Sequence, residues 1–71
     1  MDKKDKEYLK ESLRNRRPHE RFNEALARTL SDRMKNEEGY KEYIRLISSV
    51  RSLAAKKKIS EVEAVKLILG R

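Results

Sequence analysis

Apolar residues along this chain recur every three or four positions and nowhere alternate with a period of two, which is the pattern of helices and not of strands. The clearest stretch is Tyr40 to Lys58. At about 100° per residue, Tyr40, Tyr43, Ile44, Leu46, Ile47, Val50, Leu53 and Ala54 share one face. Lys41, Arg45, Ser48, Ser49, Ser52 and Lys56 lie opposite, with Glu42 the one acid on that side. A helix with one core-facing side and one basic side is predicted here.

Upstream, residues 2 to 14 form a candidate first helix, supported by an Asp2–Lys6 pair at i, i+4 spacing. Its sizeable apolar side chains are Tyr8, Leu9 and Leu13 alone, so the expectation is a basic arm over residues 1–17, loosely docked or frayed. Pro18 disfavours helix at Arg17 and suits the first turn of a new one, which puts the break within residues 15–18. A second helix, about His19 to Lys35, carries the stripe Phe22, Ala25, Leu26, Leu30 and Met34, with Glu24, Arg28 and Asp32 outside.

Asn36-Glu37-Glu38-Gly39 then reads as a stop, with the two glutamates favouring the positive end of the following helix. A single continuous helix stays open as an alternative, since one interior glycine costs only about 1 kcal/mol. Ser60-Glu61-Val62-Glu63 matches a capping box, so a fourth helix starts there and runs to about Leu69, with Gly70 in the usual terminating position. The fold expected is an all-α bundle of three to four short helices, its core domain spanning residues 18–71.

Seventy-one residues make one domain, close to the size at which a single core barely offsets chain entropy. With no cysteine there is no disulfide framework and no thiolate metal site, so helix packing or self-association has to compensate. The longest run of large apolar residues is Leu67-Ile68-Leu69, far short of a membrane span. The charged start Asp2-Lys3-Lys4-Asp5 lacks the apolar stretch of a signal peptide. A soluble, cytoplasmic protein is the expectation.

Nineteen Lys and Arg against twelve Asp and Glu give a net charge of +7, a field that attracts polyanions. The surplus lies mainly in the second half: residues 1–39 carry eleven bases and nine acids, residues 40–71 eight bases and three acids. Lys41, Arg45 and Lys56, with Ser48, Ser49 and Ser52 between them, have the chemistry to track a phosphate backbone. Lys56-Lys57-Lys58 and Arg14, Arg16, Arg17 and Arg21 form two further cationic clusters. Each also stands near a helix end, where cations complement the dipole, or on a solvated surface.

Other chemistry finds less support. Residues 53 to 67 resemble a helix-turn-helix in outline, yet lysine stands where the turn glycine is expected. Glu61 and Glu63 would face the phosphates, so the fourth helix is read as a core or interface element. His19 is the one histidine and has no ligand set around it. Tyr40, Tyr43 and Phe22 fall on core stripes and are assigned to packing, not base stacking. No phosphate loop, catalytic triad or cofactor motif is found, and no enzymatic activity or cofactor is expected.

The function expected is non-enzymatic binding of nucleic acid, duplex DNA through phosphate contacts, in a regulatory or accessory role. The alternative is an interaction module or small subunit that binds an acidic protein. A homodimer is expected through the fourth helix. Val62, Val65, Leu67, Ile68 and Leu69, with Ala64, span an arc of roughly 220°, more than the roughly 100° that one neighbouring helix covers.

Overall fold

In the computed structural model, which describes residues 3–34 and 36–70, the chain forms four helices: α1 (Lys3–Asn15), α2 (Phe22–Arg33), α3 (Asn36–Lys57) and α4 (Glu61–Ile68). No strand occurs among the described residues. The expected Asp2–Lys6 pair, the end of the second helix at Lys35 and the terminal Arg71 lie outside the described residues. The core joins all four elements. Leu9 comes from α1, Phe22, Leu26 and Leu30 from α2, Leu46, Ile47, Val50 and Ala54 from α3, and Ala64 and Val65 from α4.

The first helix corrects the expectation of a loose arm. Its buried residues are Asp5, Tyr8, Leu9 and Ser12, so two polar side chains join two apolar ones on the inner face. Each has its polar atoms met. Ser12 donates its hydroxyl to the Tyr8 carbonyl at 2.8 Å, and Asp5 receives the Arg45 guanidinium of α3 at 2.6 and 2.8 Å. Toward α2, Asn15 donates to the Thr29 hydroxyl at 3.1 Å. Glu11 accepts two hydrogen bonds from Arg33, whose guanidinium also sits 6.0 Å from the centre of the Tyr8 ring. A count of large apolar residues misses this interior because half of it is polar but satisfied.

The break between α2 and α3 also differs in place and cause. Met34 is extended (φ −126°, ψ 145°), which ends α2 and rules out one continuous helix. Asn36, Glu37, Glu38 and Gly39 belong to α3 instead of stopping α2, with both glutamates in its first turn where the dipole favours them. Gly39 is buried there. A Cβ on it would lie 3.3 Å from the Leu30 carbonyl and 3.4 Å from the Met34 Cβ, so glycine permits close approach of the two helices and is no terminator. The second helix likewise starts at Phe22 and not at His19. Glu24 accepts the Arg21 N–H at 3.1 Å, the half of a capping box that an arginine N-cap leaves available.

At the far end of α3 the chain closes as a Schellman motif without its usual glycine. The Ile59 N–H reaches the Ala54 carbonyl at 3.0 Å, and the Lys58 N–H reaches Ala55 at 3.3 Å. Lys58 holds φ at +55°, the left-handed region that a residue with a Cβ adopts at a cost. The start and end of α4 follow the sequence closely. Ser60 caps it by accepting the Glu63 N–H at 3.1 Å, and Gly70 follows at φ +82°.

The fourth helix does not need a second chain to cover it. It contacts α1, α2 and α3. Val65, expected at an oligomer interface, is fully buried inside its own chain. Val62, Ile68 and Leu69 are packed partly buried against the same core, leaving Leu67 as the exposed member of the set. The radius of gyration, 11.2 Å, matches the value of about 11 Å for a closed domain of this length. Three neighbours inside one chain cover most of the wide apolar arc that the sequence analysis assigned to a partner, all but Leu67.

Candidate functional site

The helices run so that the α1–α2 connection and the α3–α4 turn come together at one end of the bundle. Between them lies an open cleft of about 390 Å³, whose lining includes Arg16, His19, Arg21, Arg51 and Ser60. Four hydrogen bonds centred on Glu20 shape the connection. Arg16 donates to the Glu20 carbonyl at 2.8 Å, and the Glu20 carboxylate takes the Arg17 N–H at 3.2 Å and the Arg28 guanidinium at 2.7 and 3.1 Å. The Arg28 guanidinium, helped by the Arg17 N–H, holds the Glu20 carboxyl down to about 2 against the opposing effect of burial. Glu20 is thus a fixed anion engaged inward, and it folds the loop so that Arg17 and Arg21 stay exposed.

Among the described residues, Arg14, Arg16, Arg17, Arg21, Lys56, Lys57 and Lys58 form no ion pair; the ion pairs are those of Arg28, Arg33, Arg45, Arg51 and Lys66. Of the two clusters expected from sequence, Arg16 and Arg21 line this cleft and Lys56 to Lys58 stand at the end of α3 that leads into the α3–α4 turn, while Arg14 lines a separate cleft with Lys10, Leu13 and Leu69. Lys58 stands two residues before Ser60 on the rim of the cleft, and its left-handed backbone sets its side chain on the turn itself.

The serine-bearing face of α3 fares differently. Lys41, Ser48, Ser49, Ser52 and Lys56 are exposed along one side of the helix, as expected. Arg45 is also half-exposed, but its guanidinium is clamped by Asp5 and by Glu42 one turn away, two carboxylates that raise its pKa above the usual arginine value. Its charge is neutralised inside the protein. Ser49 donates to the Arg45 carbonyl at 3.3 Å, so its hydroxyl proton is also in use. Tyr40 and Ile44, assigned to the core stripe, are instead 67% and 43% exposed at the edge of the inner face.

Arg51 was passed over by the sequence analysis, although the helical wheel puts it between Tyr40 and Ile44 at the edge of the apolar face. It enters the cleft because the α1–α2 connection folds against it, and it meets Glu61 at 3.2 Å with its head still open to solvent. Only the chain's tertiary course reveals that. Glu61 and Glu63 stand at this end together with Glu20, and each of the two meets a base of the chain, Arg51 and Lys66. His19 lies in the same cleft, and among the described residues no group of three or more His, Asp or Glu side chains is arranged to hold a metal. Nor is any helix among them long and apolar enough to cross a membrane. No family model, curated protein or solved structure matches the chain.

Proposed function

We propose that the protein binds nucleic acid without enzymatic action, duplex DNA through its backbone phosphates, at the end formed by the α1–α2 connection and the α3–α4 turn. The observation that carries this reading is the number of cations there, Arg14, Arg16, Arg17, Arg21 and Lys56 to Lys58, that form no ion pair among the described residues; Lys3, Lys4, Lys6, Lys10 and Lys41 form none either but are spread along α1 and the start of α3. Unpaired surface cations release counterions from a phosphate backbone when they bind it; cations already neutralised do not.

The lysine at φ +55° adds support, since a glycine would close the same turn with less strain and without a charge. The acids Glu61 and Glu63 stand in the first turn of α4, where a base-reading helix would approach the phosphates, so binding is expected to be independent of sequence. Fluorescence anisotropy with several unrelated duplexes over a salt series tests the reading. With about four phosphate contacts the slope of log affinity against log salt is about −3.6 and is shared by all the duplexes. An affinity that does not respond to salt would overturn the phosphate mechanism, and duplexes that do not bind while an acidic protein does would overturn the reading in favour of an acidic protein partner.

A further inference from the structure

One side of α3 carries exposed apolar surface that the cationic end does not explain. Tyr40 and Ile44 are 67% and 43% exposed. Projected down α3 at about 100° per residue, Glu37, Tyr40, Ile44, Ser48, Arg51 and Ala55 fall within an arc of about 80°, and all six are exposed. Steps of three and four residues along one narrow stripe are the spacing of a helix–helix seam.

The seam is complementary to its own reverse. Seven positions before Ile44 stands Glu37 and seven after it Arg51; four before stands Tyr40 and four after it Ser48. We propose that α3 pairs with α3 of a second copy of this chain, antiparallel, with the two-fold axis passing at Ile44. Ile44 then meets Ile44 of the partner subunit, and Tyr40 lies over the partner's Ser48, a large ring against a small side chain. Glu37, which forms no ion pair among the described residues, meets the partner's Arg51. Arg51 is bound to Glu61 through one nitrogen at 3.2 Å and has further donors for a second carboxylate. A parallel pairing would set Glu37 against Glu37 and Arg51 against Arg51, so charge selects the antiparallel arrangement. A single helix stripe is much smaller than the roughly 800 Å² per partner of a stable complex, so the association is weak and depends on concentration.

The pairing has a geometric consequence that rests on the nucleic-acid reading. Lys56 lies about 18 Å beyond Ile44 along the helix, so the two cationic ends stand about 36 Å apart. That is one turn of duplex DNA, the spacing at which two symmetric contacts fall on the same face of the double helix.

Sedimentation equilibrium up to about 1 mM protein, without nucleic acid, tests the pairing. Wild type is expected to dimerise toward the top of that range, Ile44→Glu to stay monomeric, and Leu67→Glu, on the exposed part of α4, to behave as wild type. Glu37→Arg and Arg51→Glu should each weaken association and together restore it, with circular dichroism confirming that each variant is folded. In a chain that has no cysteine, Ile44→Cys should cross-link across the axis on mild oxidation. A wild type monomeric throughout, or an association that survives Ile44→Glu, overturns the pairing. A dimer that forms as described but whose duplex affinity ignores salt leaves the pairing standing and removes the nucleic-acid reading.

Discussion

The two ends of this bundle differ in how much of their arginine is engaged: at the open end Arg28 and Arg51 are paired with Glu20 and Glu61, but several arginines beside them are not. Where α1 meets the first half of α3, Arg45 is clamped between Asp5 and Glu42, and alongside it Arg33 holds Glu11. There arginine is a structural part. At the α1–α2 connection and the α3–α4 turn, Arg14, Arg17, Arg21 and Lys56 to Lys58 are exposed and form no ion pair among the described residues. The lesson is that a net charge of +7 does not by itself locate a polyanion site, because part of it is already engaged within the fold.

The structural end should fail first. Deleting residues 1–15 removes Leu9 and the buried Asp5 and Ser12 together, and the cooperative thermal transition is expected to disappear. The milder Leu9→Ala should lower stability by about 2–5 kcal/mol by opening a cavity in the shared core. A truncated chain that melts like the full one would return α1 to the status of an arm. Next in size is Arg45→Ala, which takes its guanidinium from a carboxylate only 4% exposed. Because Arg45 itself is half in solvent, the expected loss in a denaturant titration is about 1–3 kcal/mol, less than for a fully buried pair.

What the chain disclosed in advance follows the same division. The serine cap at Ser60, the half of the expected capping box that forms, and the glycine after α4 are local devices, and both were legible from residue spacing. Gly39 was misread because its role is a contact with the Leu30 carbonyl on another helix, and no local pattern carries that. Asp5 and Ser12 were missed as core for a related reason: a polar residue becomes an interior one only when its partner, Arg45 or the Tyr8 carbonyl, is in place. The cationic clusters themselves were visible as runs of Arg and Lys. Their meeting at one end, and the neutralisation of Arg45, depend on the tertiary course of the chain.

Two smaller effects sharpen the contrast. Lys58→Gly should raise stability by about 0.5–1 kcal/mol by relieving the left-handed backbone, while lowering duplex affinity through the lost charge. A variant that gains stability and keeps its full affinity would remove Lys58 from the interface. Glu20 supplies a pH dependence. Its folded pKa of about 2 lies below the ordinary 4.5, so it stabilises the fold above about pH 4.5 and that contribution is lost as the pH falls toward 2. Glu20→Gln should therefore flatten the fall in melting temperature across that window, whereas an unchanged acid profile would mean that the Arg28 pair contributes nothing measurable.

The central claim is that unengaged cations, and not positive charge as such, bind the phosphate backbone. Two double variants remove the same amount of charge: Arg17→Ala with Arg21→Ala from the open end, and Arg33→Ala with Arg45→Ala from the ion pairs. Duplex affinity is measured over a salt series at a temperature where both are folded. The first is expected to lose affinity and to flatten the salt slope by about 1.8, two phosphate contacts' worth, while the second keeps both near wild type. Equal losses in the two, or a loss confined to the ion-paired set, would contradict the account.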